Sequence, residues 1–269
     1  MEAICMTFGY TRQAYYKHSH LEEFRTERNQ MVLEEVRDIR HTQPKVGVRK
    51  LHIMLNNSGK PELKIGRDQL FELLAENDML VKQKRKFIRT SCSDKQFSVF
   101  PNLLDKKTID KKNQAWVVDI TYLNTCYGFA YLYLITDRYS RKIISFVVAN
   151  SLHAKHACKA LQKAISTVDD PAGIIHHSDH GSQYCSEEYQ KILNSNNILC
   201  SMTGIAHCYD NAVAERINGI LKQEFGLGMT LQSVKVAQEL ASDAIYIYNN
   251  NRLHRALMYK TPCEVHDAL

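Results

Sequence analysis

Three β-rich runs follow one another between residues 114 and 149 with connections too short to hold a helix: WVVDITYL at 116–123, FAYLYLIT at 129–136 and KIISFVVA at 142–149. Parallel neighbours need a crossover of about a dozen residues or more, so such runs pair only as an antiparallel meander. The pattern then changes. A helical stretch covers 153–168, a short apolar strand reads GIIHH at 173–177, a helix lies near 186–196, and ILCSM at 198–202 makes a fifth strand. Helices over 210–225 and 231–248 close the chain.

Three meandering strands, then strands alternating with helices, give the order of a ribonuclease-H-like domain: an α/β fold on a five-stranded mixed sheet. This domain is expected over 113–269, with C-terminal helices. Residues 1–81 are helical. Thr11 is suited to cap a short helix after the glycine in FGYTRQAYY, and Leu21, Phe24, Val32, Val36 and Ile39 carry helical spacing up to Pro44. Two further amphipathic runs, VGVRKLHIMLN and RDQLFELLAEND, flank a glycine turn. They fit a helix-turn-helix DNA reader, or a plain three-helix packing unit.

Charge joins the two regions. The formal net charge is +6. Residues 82–112 hold ten lysines and arginines, Lys84, Arg85 and Lys86 among them, against Asp94, Asp105 and Asp110. The remainder is near neutral, so 82–112 reads as a basic linker able to lie along a polyanion, or as a solvated connector. Eight scattered cysteines with no C-x-x-C spacing suit reduced thiols in a cytosolic setting rather than a disulfide scaffold. The opening residues lack the pattern of a secretory signal, and no run approaches the length of a membrane span.

Three carboxylates stand where acids are costly or functional. Asp119 interrupts an apolar strand between Val118 and Ile120. Burial there demands a partner or a metal. Asp179 follows the fourth strand directly, where α/β sheets carry functional groups. Glu215 lies one turn into the helix over 210–225, with thirty-five residues between it and Asp179. Lys222 follows Glu215 by seven residues, two helical turns, and so shares its face.

The stretches WVVDITYL, LITDRYSRKIISF, HHSDHGSQYCS, CYDNAVAERINGILKQE and YNNNRLHRALMYKTPCEV resemble the DDE transposases of the IS-three family of bacterial insertion sequences, in the retroviral-integrase superfamily. They cover most of 112–266, and GYTRQAYYKH and VGVRKLHIML resemble the same family's second-reading-frame product. The resemblance implies that Asp119, Asp179 and Glu215 bind two divalent ions, normally Mg²⁺ with Mn²⁺ as a substitute. It implies cleavage at the element's ends followed by strand transfer, through a circular intermediate and an assembly of more than one copy on DNA. It places Lys222 and Asn211 beside DNA, although Asn211 also suits a helix cap. His180 stands where the family often has arginine, and Arg252 belongs to the C-terminal motif. Family members work as a longer fusion with an upstream helix-turn-helix and leucine-zipper part. No sustained heptad repeat is visible here, so that frame's product is expected as a fusion or partner.

Other groups compete for attention. His176, His177, His180 and Cys185 offer zinc donors, but neighbouring strand residues face opposite sides. The histidines fit better as supports of the Asp179 loop or as phosphate contacts. Asp137 suits a pair with Arg138 or Arg141. Trp116, Tyr131 and Tyr133 fit core or sheet-face positions. No phosphate-binding G-x-x-x-x-G-K-[ST] loop occurs. Two other functions use the same features: a structure-selective nuclease that cuts without joining, and a catalytically silent DNA-binding regulator.

Overall fold

The computed structural model describes residue 9 and residues 11–82, 100–105, 107–203 and 211–268. The chain divides into two compact units, Met1–Lys86 and Phe87–Leu269.

The first unit is built on α1 (Arg12–Thr42), α2 (Val48–Asn56) and α3 (Arg67–Glu76). A single helix α1 replaces the expected short helix and second run. The reason is composition: 12–42 contains neither glycine nor proline, so nothing interrupts the hydrogen-bond ladder. Thr11 caps it, its side chain accepting from the Ala14 amide at 3.1 Å. Val32, Leu33 and Val36 of α1 meet Val48, Leu51 and Leu55 of α2 and Leu70, Leu73 and Leu74 of α3 in one apolar cluster. Each such side chain, once fully buried, contributes about 1.5–3 kcal/mol. The α2–α3 connection runs from Asn57 to Gly66 through a 3₁₀ turn, Pro61–Leu63. It is longer than the tight turn of about three or four residues in a helix-turn-helix.

The second unit is a mixed sheet with helices on both faces. Strands β1 (Ala115–Thr125), β2 (Gly128–Asp137) and β3 (Ile143–Ala149) form the meander; β4 (Ile175–Ser178) and β5 (Leu199–Met202) follow. The order is β3-β2-β1-β4-β5. β1–β2 and β2–β3 are antiparallel, whereas β4 runs parallel to β1, and β5 to β4. The sheet therefore matches the five-stranded mixed sheet expected from the order of runs.

Alternation along β1 separates the two faces. Trp116 and Val118 pack with α4 (Ala154–Ile165), the short α5 (Ser182–Cys185) and α6 (Glu187–Ser195). Leu123 packs on the opposite face with α7 (Ala212–Glu224) and α8 (Val234–Asn250). The terminal helix α9 (Pro262–Asp267) opens with a capping box between Thr261 and Glu264. Among the described residues no helix is long and apolar enough to cross a membrane.

Asp137 is fully buried; its charge acts on Arg141, as the sequence suggested, while its hydrogen bonds come from other groups. It accepts from the Asn113 amide at 3.0 Å, the Ser140 amide at 2.8 Å and the Ser140 hydroxyl at 2.6 Å. His266 of α9 stands 3.0 Å from that hydroxyl, so the group ties the β2–β3 turn to the C-terminal helix.

Candidate active site

β1 and β4 carry two of the carboxylates side by side. Their last paired residues are Val117 and His177; Asp119 lies two residues further along β1, and Asp179 directly follows the end of β4. Adjacent strands are about 4.8 Å apart. Helix α7 crosses this end of the sheet: Ala214 and Val213 pack with Val117 and Ile175. Glu215, exposed on the next position, is near enough for its charge to raise the Asp119 carboxyl slightly.

Asp119 is half-buried, and both oxygens are held. Oδ1 accepts from the Ile120 amide at 2.9 Å, and Oδ2 from Asn218 Nδ2 at 2.7 Å. Burial, then the Asp179 charge, push its carboxyl up to about 7, with a smaller push from Glu215 and an opposing pull from Asn218. Acids that repel one another in this way favour a cation among them. Asp179 accepts from the Gly181 amide at 3.0 Å. A Cβ at Gly181 would stand 3.0 Å from the same oxygen, so a side chain there would press the carboxylate aside by a few tenths of an ångström.

Lys222 is half-buried on the Glu215 face of α7. Burial lowers its pKa, while the Asp119 charge raises it. Gly228 fixes the end of this helix: its amide donates to the Lys222 carbonyl at 3.1 Å, and a Cβ there would lie 2.8 Å from that oxygen.

Several expectations change. His176 and His177 are fully buried and so contact no phosphate. His176 Nε2 meets the Tyr189 hydroxyl at 2.7 Å, and His177 Nδ1 meets the Ser201 hydroxyl at 2.9 Å, on opposite sides of β4. Among the described residues no three His, Cys, Asp or Glu side chains stand close enough together to hold a metal ion, Asp119, Asp179 and Glu215 included. His180 is exposed beside Asp179. Asn211 is buried and forms no side-chain cap; its Nδ2 donates to the Val118 carbonyl at 3.1 Å, next to Asp119. This placement withdraws it from direct DNA contact.

Arg252 is also corrected. It is 5% exposed, and its guanidinium grips Glu224 with two bonds of 2.8 Å. A phosphate would have to displace a buried, bidentate carboxylate. Its neighbours act similarly: Tyr248 donates to the Arg141 carbonyl, and Asn249 pairs with both the amide and carbonyl of Ile143 on the edge strand. The YNNNR stretch is therefore a structural clasp. Lys84, Arg85 and Lys86 lie outside the described residues. Asn218 was not singled out from the sequence. Its signal is a polar residue three positions after Glu215, among Ile217, Ile220 and Leu221.

The chain is similar to known proteins over most of its length. Residues 110–208 and 196–262 both match integrase core domain families. The chain is 34% identical over 259 residues to the insertion element IS600 uncharacterized 31 kDa protein of Shigella sonnei, covering 94% of each chain. It is 30% identical to the putative transposase for insertion sequence element IS986/IS6110 of Mycobacterium tuberculosis, over 82% of this chain and 81% of that one. The chain belongs to the IS-three family of DDE transposases. The transposase for insertion sequence element IS629 of Shigella sonnei is 28% identical, over 96% of this chain and 86% of its own. In this transposase the matched integrase core region spans Asp119, Asp179 and Glu215.

Proposed function

We propose that the chain is a polynucleotidyl transferase that cuts DNA at the ends of an insertion sequence and joins the freed strand to a new site. The nearness of Asp119 and Asp179 at the ends of two adjacent parallel strands, with the Glu215 charge also felt at Asp119, carries this reading. The donor set fits magnesium, which prefers hard carboxylate oxygens and shares its shell with substrate phosphates. The fit rests on two carboxylates at neighbouring strand ends, where burial first and the Asp179 charge second lift the Asp119 carboxyl. Two divalent ions held by these three residues would supply charge to the attacking and leaving oxygens of an in-line displacement, with manganese able to replace magnesium.

The chain's own groups prepare the site. Asn218 and the Ile120 amide fix the Asp119 carboxylate, and Gly181 fixes that of Asp179. Lys222 offers a positive charge to a neighbouring phosphate, and His180 flanks the Asp179 side. In the first reaction water oxygen bonds to phosphorus as the 3′ oxygen leaves with a proton. In the second, the freed 3′ hydroxyl oxygen bonds to another phosphorus as that phosphodiester's 3′ oxygen leaves. The number of phosphodiester bonds is kept in the joining step, so no nucleotide is consumed.

The helical unit and the basic stretch 82–112, with Lys84, Arg85 and Lys86, would hold DNA chiefly through phosphates. More than one copy would act on DNA in the bacterial nucleoid, with the upstream-frame product as fusion or partner. The test uses labelled duplexes bearing the element's ends, with Mg²⁺ or Mn²⁺, comparing wild type with Glu215→Gln. Joined products lost in the variant support the proposal. Cutting without joining would favour the nuclease, and unchanged DNA binding with no product at all would favour the silent regulator.

A further inference from the structure

We infer that α1 pairs with α1 of a second copy, antiparallel, about a twofold axis near Thr26. The helix carries two faces. Val32, Leu33 and Val36 fill the core of their own unit. Beside that face runs a separate line: Lys17, Leu21, Phe24, Arg28, Met31 and Glu35, spaced four, three, four, three and four apart. That alternation is the seam of a two-helix coiled coil. Its three apolar members are open to solvent, Leu21 at 53%, Phe24 at 68% and Met31 at 47%.

Charge complementarity selects both the occupant and the direction. An antiparallel copy centred on Thr26 sets Lys17 against Glu35, Leu21 against Met31 and Phe24 against Arg28, and repeats each pair by symmetry. Every pair is favourable: opposite charges, two apolar side chains, and a guanidinium over an aromatic ring. A parallel copy would set Lys17, Arg28 and Glu35 each against itself. A nucleic-acid face is disfavoured because α1 holds six Lys/Arg and six Asp/Glu, several of the acids flanking the seam.

The unit is shaped to receive the copy. An open pocket of about 460 Å³ lies between the seam and the Pro61–Leu63 turn, lined by Phe24, Glu27, Arg28, Met31, Pro61 and Lys64 among others. The partner's Phe24, arriving opposite Arg28, enters it. Arg28 Nε is buried there with no hydrogen-bond partner among the described residues. Glu35, Glu62 and Asp38 gather around Lys60, leaving an acidic excess where the partner's Lys17 lands.

The experiment uses the full chain without DNA or metal, which separates it from the transposase reading. Chains carrying Leu21→Cys are mixed with chains carrying Met31→Cys and treated with a short thiol cross-linker, with wild type as the background for native cysteines. Pairing gives a cross-linked dimer that requires both variants, while Leu21→Cys alone stays at background. Phe24→Glu removes the cross-link and weakens self-association in sedimentation at least tenfold, with the helical circular dichroism unchanged. A Leu21→Cys self-cross-link, no 21–31 cross-link, or a cross-link indifferent to Phe24→Glu would overturn the inference.

Discussion

Asn218 Nδ2 donates to Asp119 Oδ2 at 2.7 Å, so one hydrogen bond ties the strand carboxylate to the helix that carries Glu215. The acid and the helix move as one. Asn218→Ala leaves this oxygen free to turn and removes the one side-chain bond that favours ionised Asp119. Outer partners of metal-binding side chains are typically worth about 10–100-fold in affinity or activity. Strand joining by Asn218→Ala is expected to fall by about that factor while the melting temperature moves little. The check is joining rate against magnesium concentration: the variant needs more metal. An equal magnesium response in both proteins would remove Asn218 from this role.

Gly181→Ala tests the other carboxylate. The backbone at Gly181 has a φ of −60°, which any residue adopts, so alanine brings no backbone strain. Its Cβ meets Asp179 Oδ1 at 3.0 Å and Tyr184 at 3.2 Å. The carboxylate is the more movable of the two, because Tyr184 is buried in the core. If Asp179 acts as proposed, activity is expected to drop roughly tenfold or more, because the change misplaces that group. Thermal unfolding measured beside the joining assay separates this loss from a general failure to fold.

The meander, the alternation that follows it and the placing of Asp119 in β1 and Asp179 just after β4 were legible because each rests on local pattern: strand period, short connections, an acid in an apolar run. The function of Arg252, Asn211 and Asp137 was not legible. Their partners, Glu224, the Val118 carbonyl and Ser140 with Asn113, are chosen by packing, and only Ser140 lies near in sequence to the residue it serves. A surface-seeking arginine and a buried arginine read alike in a sequence. The two faces of α1 were also merged, since Leu21 and Phe24 share helical spacing with Val32 and Val36 yet fill no core.

Arg252→Ala follows from that correction. The change leaves Glu224 without its bidentate partner in a poorly solvated place. Breaking a buried pair from one side costs about 3 kcal/mol or more. The melting temperature is expected to fall by several degrees. Affinity of the folded protein for duplex DNA, and its slope with salt, should stay unchanged. A weaker slope without loss of stability would restore Arg252 as a phosphate contact.

Lys222→Met tests the proposed phosphate contact. The half-buried ammonium is held partly out of water near Asp119, so the variant loses a charge while keeping the stem that packs on α7. Weaker binding of the DNA end, by about tenfold, is expected with an intact fold. Lys222→Arg should recover part of it. Titration of labelled end duplex against each protein in calcium, which permits binding without joining, gives the comparison.

His176 sets an acid limit on the fold. Burial pushes its pKa down to about 3, against an ordinary value near 6.5. Between those values the unfolded chain binds a proton that the native chain refuses. Native stability is therefore complete above about pH 6.5 and falls as pH drops through that window, by about 1.4 kcal/mol per unit from this site alone. Replacing His176 by phenylalanine alone strands the Tyr189 hydroxyl that meets it at 2.7 Å. His176→Phe with Tyr189→Phe removes both polar groups. Denaturant unfolding of the double variant between pH 6.5 and 4 is expected to show a shallower decline than wild type, by about one proton. Parallel slopes in the two proteins would mean that the native state does accept a proton at His176.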